Sequence, residues 1–162
     1  MLADAVRKTL RGYANSVLVA ASADAGGRAA MTATAVVPVC LDPPTMLVCV
    51  NRTAELYPLL ERGAGFTLSL LRPGQEAISN ACGGGADGAA RFALGDWRTD
   101  AGGLPWLADA ASALGCRQVQ RVAQGSHDIV IGEVVWVQGG DLVDPLLHVD
   151  GGYRSLNPNA SR

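Results

Sequence analysis

The consecutive residues Ser126, His127 and Asp128 are the three side-chain types of a hydrolase triad. In a triad the base lies between the nucleophile and an orienting carboxylate, wherever the three occur in the chain. Neighbours on an extended chain point to opposite faces, so these three cannot line up in that way. We therefore predict no serine hydrolase here and interpret Asp128 as a solvated carboxylate.

The run Gly83-Gly84-Gly85-Ala86-Asp87-Gly88 satisfies the dinucleotide fingerprint G-x-G-x-x-G. That fingerprint needs a strand before it and a helix opening at its end. Here a helical pattern precedes the run, and no Gly-Lys-Ser/Thr ending follows as it would in a P-loop. We interpret the run as a flexible loop rather than a nucleotide-binding motif.

Histidine and cysteine positions do not predict a metal site. Two histidines stand far apart without a carboxylate cluster, and the cysteines have no C-x-x-C spacing. His148, among apolar residues, is interpreted as an outward-facing strand residue. Cys40 and Cys49 lie in apolar runs and are predicted to be buried free thiols, which indicates a reducing, cytoplasmic location.

The composition narrows the function classes. With 162 residues, 49% hydrophobic and 17% charged, the chain can form one domain with a core of its own. A net charge of -2 and 5% aromatic residues argue against nucleic-acid binding and against an anionic membrane as partner. No apolar run reaches the roughly 18–20 residues of a membrane helix, and the first residues are not expected to be a signal peptide.

Hydrophobic periodicity predicts the elements that would position any site. Apolar spacings of three and four predict a helix over 2–13. Alternation, short apolar runs and turn residues predict the remaining elements, with further helices over about 55–62, 75–81 and 107–114, and strands over 15–23, 45–51, 66–71, 116–122, 127–137 and 146–149. We expect a domain over 1–156 and a tail over 157–162.

The order of these elements indicates the fold class. Strands dominate, and helices are inserted between them without regular alternation. That order favours a mainly β protein, an antiparallel barrel with helical insertions, over a doubly wound sheet.

An ordered series of short motifs resembles the short-chain flavin reductase family, the reductase components of two-component flavin monooxygenases. The similarity extends from about residue 8 to residue 156. The motifs that carry it are Met31-Thr32-Ala33-Thr34-Ala35-Val36, Leu41-Asp42-Pro43-Pro44, Leu47-Val48-Cys49-Val50-Asn51-Arg52-Thr53, Arg91-Phe92, Gly125-Ser126-His127, Ile131-Gly132-Glu133-Val134 and Gly152-Tyr153-Arg154.

The resemblance implies a split antiparallel β-barrel of Greek-key type that binds FMN or FAD, commonly as a homodimer. It implies hydride transfer from NADH or NADPH to the flavin. It also implies a partner, a flavin-dependent monooxygenase that receives the reduced flavin.

The resemblance also assigns cofactor-binding positions. Small side chains at Ala33 and Ala35 would let a flavin ring approach the backbone. A predicted helix start after Asn51 would offer a phosphate its N–H groups, with Thr53 as N-cap. The full set is Thr32, Ala33, Thr34, Ala35, Val36, Val50, Asn51, Arg52, Thr53, Arg91, Tyr153 and Arg154.

His127 is the candidate catalytic residue. By the resemblance it lies beside the flavin ring, where it would orient the nicotinamide. Hydride transfer needs the donor carbon about 3–3.5 Å from its acceptor and no general acid, so we interpret His127 as a positioning group.

Several alternatives stay open from the sequence. A flavin-binding or sensing module without turnover would carry the same motifs. The choices between FMN and FAD, between NADH and NADPH, and between flavin as substrate and flavin as prosthetic group are not determined by these residues.

Overall fold

A computed structural model describes residues 1–141 and 143–157. Most of the predicted tail therefore lies outside the described residues. The helices are α1 (Leu2–Leu10), α2 (Tyr57–Glu61) and α3 (Glu76–Asn80). The strands are β1 (Asn15–Ser16), β2 (Leu18–Asp24), β3 (Gly27–Ala33), β4 (Val36–Leu41), β5 (Pro44–Asn51), β6 (Phe66–Leu70), β7 (Trp97–Thr99), β8 (Pro105–Leu107), β9 (Ser112–Gln124), β10 (His127–Gln138), β11 (Leu147–Val149) and β12 (Gly152–Arg154).

An antiparallel seven-stranded sheet in the order β3-β2-β6-β9-β10-β5-β4 forms the body of the protein. Its two edge strands, β3 and β4, are consecutive in the chain. Only Thr34 and Ala35 separate them, and two residues span at most about 7 Å. The sheet must therefore curl until its edges are neighbours. The Ala35 carbonyl accepts a hydrogen bond from the Cys49 amide at 3.0 Å, which ties this junction to β5.

This arrangement confirms the mainly β, antiparallel fold with helical insertions. Strand β2 shows how the sheet is covered on both faces. Ala20 packs into the barrel interior with Phe66, whereas Val19 and Ala21 belong to a second core with Ile78. The two-residue period of the strand produces this division.

The predicted helix over 107–114 is wrong. Residues 105–107 form β8 and the long strand β9 begins at Ser112. The alanine-rich stretch has helical propensity, but Ala111 donates its amide to the Leu70 carbonyl at 2.8 Å and Ser112 pairs with Leu70. Pairing with β6 and burial of Ala113 override the local preference.

Three other elements differ in detail from the expectations. Strand β5 is fully buried on one face, at Val48 and Val50, whereas on the other face only Thr45 at its start is buried and Leu47 and Cys49 are half-buried. Helix α2 begins later than the sequence indicated, at Tyr57, with Pro58 in its first turn. The glycine run is partly helical, since the chain from Ala81 continues α3 as a wide turn until Gly84, whose φ of 109° is not helical.

The short strands β1, β11 and β12 form a separate three-stranded sheet. Hydrogen bonds of Leu146 with Val17 and Leu71 attach it to the start of β2 and the end of β6. No helix among the described residues is long and apolar enough to cross a membrane.

Candidate functional site

Three adjoining cavities form a cleft along the junction between β3 and β4. Their volumes are about 490, 330 and 480 Å³. Thr32 and Gly83 line both the first and the second cavity, and Thr34 and His148 line both the second and the third. The cleft therefore follows the place where the barrel is split.

The segment from Thr32 to Val36 forms one wall of this cleft. Thr32 donates its hydroxyl to the Ser79 carbonyl at 2.6 Å, which joins β3 to α3. Thr34 and Ala35 are exposed and line the cleft. The side chain of Ala33 instead lies in the core, and Val36 packs against that core. Alternation along the strand thus brings part of the predicted segment to the cleft and turns the rest inward.

The turn from Asn51 to Thr53 borders the first cavity. The Asn51 Oδ1 accepts hydrogen bonds from the backbone amide and the hydroxyl of Thr53, both at 2.9 Å. Asn51 and Thr53 both line the cavity. Thr53 is not an N-cap as expected, because α2 begins only at Tyr57. The turn presents polar groups to the cavity without a helix terminus behind them.

Arg52 does not line the cleft. Its Nε donates to Asp128 Oδ1 at 2.7 Å, and Arg121 donates to Asp128 Oδ2 at 2.6 Å. Its predicted contact with a flavin phosphate stays a prediction.

The expectation that Asp128 is solvated is wrong, because the residue is 1% exposed. Its Cα pairs with that of Val50, a core residue, so the side chain points into the barrel. The hydrogen bond from Arg52 holds the pKa of Asp128 below its usual range, against the effect of burial, and Arg121 acts in the same direction. Val50, predicted at the cofactor, likewise lies inside the barrel.

Arg91 is buried and orders the glycine-rich segment. Its guanidinium donates to the carbonyls of Ala86 at 2.7 Å and Ala30 at 2.8 Å, and to Glu55 Oε1 at 3.1 Å. It also lines the first cavity. The segment expected to be a flexible loop is therefore fastened to β3.

Two carboxylates also border the first cavity. Glu55 pairs with Arg91 and accepts a hydrogen bond from the Gly88 amide at 3.2 Å, and Asp87 precedes that glycine. Sequence reasoning did not place either at a site. Among the described residues, no group of His, Cys, Asp and Glu could hold a metal ion.

His127 lies at the start of β10, next to the turn. Its Cα partner is Asn51, so the two side chains share one face of the sheet. The ring Nδ1 is 2.9 Å from the Ser126 hydroxyl, and the side chain is exposed. His127 lines none of the three cavities, but it lies beside Asn51, which lines the first. Asp128 faces the other way, as expected for a trio that is not a triad.

The hairpin β11–β12 brings His148 and Tyr153 together over the second cavity. Their Cα atoms pair, and the rings meet edge to face at 5.7 Å. The Tyr153 hydroxyl is 2.8 Å from both Ser79 Oγ and Asn80 Oδ1. Arg154 is exposed and donates to the Tyr153 carbonyl, away from the cleft.

Sequence reasoning missed His148, although a signal was available. Asp150 and Gly151 both have positive φ, at 50° and 76°. An Asp-Gly pair is the strongest short hairpin signal, and it predicts that His148 pairs with Tyr153.

Comparison with known proteins gives a consistent result. The family described as "Flavin reductase like domain" matches residues 10–157. A protein named FMN reductase (NADH) RutF, from Methylorubrum populi, is 39% identical over 160 residues, covering 99% of this chain and 79% of its own.

Two solved structures share the fold. NADH:FAD oxidoreductase SgcE6 from Streptomyces globisporus, in complex with NAD and FAD fragments, has a TM-score of 0.84 at 26% identity, covering 96% of this chain and 93% of that one. BorF, the flavin reductase component of a bacterial two-component tryptophan halogenase, has a TM-score of 0.83 at 26% identity, covering 95% and 98%.

Proposed function

Because the chain belongs to the flavin reductase-like domain family, we propose that it is an NADH-dependent flavin reductase. The reaction moves a hydride from NADH to FMN or FAD, takes up a proton and leaves NAD⁺ and reduced flavin. The observation that carries the proposal is the cleft at the split of the barrel. Most of the residues that the resemblance assigns to the cofactor border it.

The residues of the cleft fit a flavin. A flat ring needs a wall of small side chains, which Thr34, Ala35 and Gly83 supply. A ribityl chain needs polar partners for its hydroxyl groups, and the turn offers the side-chain NH₂ of Asn51 as a donor and the Thr53 hydroxyl oxygen, whose hydrogen is given to Asn51, as an acceptor. Because the cavities share lining residues, one elongated ligand can occupy two of them.

When bound, a flavin supplies the hydride-accepting chemistry, and the protein supplies position, orientation and exclusion of water. Thr32 and Gly83 line both the first and the second cavity and so border the passage between them. Tyr153 and His148 cover the second cavity. His127, beside Asn51, orients the nicotinamide rather than moving a proton.

FMN is the favoured flavin and NADH the favoured donor, because the 39% identical relative carries both in its name. The name of SgcE6 supports FAD as an acceptable alternative. The chain offers no clear phosphate-selecting cluster for NADPH.

The working unit in this proposal is a homodimer. Helix α1 has no buried residue, and its apolar side chains Leu2, Val6 and Leu10 are 82%, 47% and 49% exposed. A nine-residue helix of this kind is marginal without a packing partner. The outer face of β4 and β9 carries Val37 and Val122, which are also exposed. A second copy, related by a two-fold axis, would cover such faces with one self-complementary contact.

Reduced flavin would then pass to a flavin-dependent monooxygenase. The similarity to BorF, a reductase component of a two-component system, supports this role. We place the protein in the cytoplasm, because its cysteines are free thiols. Neither nucleic acid nor a membrane is a partner in this proposal.

Consumption of NADH and NADPH, with and without added FMN or FAD, tests the activity. We expect oxidation that requires flavin and prefers NADH. His127→Ala should slow turnover more than it weakens flavin binding. A wild-type protein that binds flavin but leaves NADH intact would contradict the proposal and favour a binding or sensing module.

A further inference from the structure

The residues on either side of His127 are both in contact with Arg52. The Arg52 backbone amide donates to the Ser126 carbonyl at 3.0 Å, and its side chain donates to Asp128 Oδ1 at 2.7 Å. One residue of the turn thus holds the start of β10 at two points, with His127 between them.

The Asp128 carboxylate, which accepts the hydrogen bond from Arg52, is itself held in place. Asp128 is buried, and its second oxygen accepts from Arg121 Nη1 at 2.6 Å. Arg121 also donates to the Tyr57 hydroxyl at 2.9 Å and lies over the Tyr57 ring. Because both carboxylate oxygens are engaged, from β9 and from the turn, the side chain of Asp128 cannot rotate freely.

Arg52 therefore faces the barrel while its neighbours face the cleft. Asn51 and Thr53 line the first cavity, and the hydrogen bonds between them fix their mutual orientation. The position of that pair relative to β10 depends on Arg52. An arginine whose guanidinium is already paired with a buried carboxylate is suited to fix the position of a turn. A guanidinium without such a partner would be available to bind a phosphate.

We propose that Asp128 is a positioning residue for flavin reduction: through Arg52 it fixes the Asn51–Thr53 turn and His127 relative to each other. This inference rests on the proposed function. Asp128 acts on the ligand only through Arg52, and Arg52 contributes as the link in this chain of contacts rather than as a phosphate ligand. Misplacement of binding groups by about 1 Å can cost up to about a hundredfold in rate.

Riboflavin separates the two roles of Arg52, because it lacks the phosphate of FMN. A phosphate ligand contributes to FMN binding alone. A positioning residue contributes equally to riboflavin and FMN, since the turn contacts parts that both share. The ratio of the two dissociation constants therefore changes for a phosphate ligand and stays constant for a positioning residue. A lower kcat at saturating flavin, measured below the melting transition of each variant, separates positioning from a general loss of stability.

The experiment compares Asp128→Asn, Arg52→Gln and the wild type for FMN binding, riboflavin binding and NADH oxidation. Glu133→Gln is the matched control, because Glu133 pairs with Arg117 at 2.7 Å across the same two strands, away from the turn. We expect Asp128→Asn and Arg52→Gln to raise both dissociation constants by a similar factor, on the order of tenfold, and to lower kcat. Glu133→Gln should match the wild type.

Loss of FMN affinity with riboflavin affinity intact in Arg52→Gln would overturn the inference and restore the phosphate role. A folded Asp128→Asn protein with wild-type binding and kcat would also overturn it. If Asp128→Asn does not fold, the binding constants and kcat of Arg52→Gln alone test the inference. The Arg52 side chain is 41% exposed, so its replacement leaves no cavity and the variant should fold. A wild-type protein that does not oxidise NADH would instead overturn the proposed function.

Discussion

The guanidinium of Arg91 donates a hydrogen bond to the main-chain carbonyl of Ala30 at 2.8 Å. The same side chain donates to the Ala86 carbonyl, so one buried cation joins the glycine-rich segment to strand β3. The wall of the first cavity depends on this connection, because Gly83 and Gly84 lie on that segment.

Arg91→Lys should therefore loosen the segment while keeping the charge. A lysine has one ammonium group and cannot reach three acceptors in the arginine geometry. We expect the free energy of unfolding to fall by roughly 1.5–3 kcal/mol, the contribution of a hydrogen bond to a charged group. Denaturant unfolding measures it. Arg98→Lys is the control, because Arg98 forms an exposed pair with Asp96; equal losses in both variants would contradict the assigned role.

Gly83→Val should narrow the passage between the first two cavities. A Cβ at Gly83 would lie 3.8 Å from both Cβ and Oγ1 of Thr32, in ordinary contact, and Gly83 does not have a positive φ. The fold should therefore tolerate the change, whereas a flat ligand that crosses the passage should not. We expect flavin affinity to fall at least about tenfold, because a single extra methylene in a pocket costs about 10–200-fold and valine adds three carbon atoms.

Titration of FMN with Gly83→Val, alongside its melting temperature, measures both effects. Ala101→Val is the matched control, since Ala101 is exposed in the turn between β7 and β8. Wild-type FMN affinity in Gly83→Val would show that the ligand does not cross the passage.

The sequence predicted most strands because their patterns are local. At and just before β2 the alternation of Val17, Val19 and Ala21 is visible in the chain, and the structure buries all three. The strands predicted over 116–122 and 127–137 likewise correspond to β9 and β10. The helix predicted over 107–114 failed because its alternative, pairing with β6, depends on a strand about forty residues earlier.

The candidate site was predictable only in part for the same reason. Thr32, Thr34 and Asn51, which the sequence predicts at the cofactor, line the cleft. The burial of Asp128 was not predictable, because its compensating arginines come from a turn and from a neighbouring strand. A lone aspartate beside an exposed histidine gives no local sign that it faces inward.

Asp128 should also make stability depend on acid pH. Its pKa is lowered in the folded protein, chiefly by the hydrogen bond from Arg52. The group therefore stabilises the fold above the unfolded value of about 3.9, and this stabilisation is lost as pH falls through the folded pKa. In Asp128→Asn the free energy of unfolding should be lower at neutral pH and should change less steeply below about pH 5. If the free energy of unfolding of Asp128→Asn falls as steeply below about pH 5 as that of the wild type, the acid dependence does not come from Asp128.

The four free cysteines should differ sharply in reactivity. Cys40 was expected to be buried but is exposed on β4, whereas Cys82 and Cys116 are buried, and burial raises their pKa values to about 11 and about 12. Because the thiolate is the reactive form, the two buried thiols should resist a disulfide reagent at mildly alkaline pH until the protein unfolds. Cys40 should react rapidly in the native protein, and Cys40→Ser should remove that rapid phase. Labelling mapped by mass spectrometry checks the assignment. Rapid native labelling of Cys82 in the Cys40→Ser protein would mean that the glycine-rich segment opens despite Arg91.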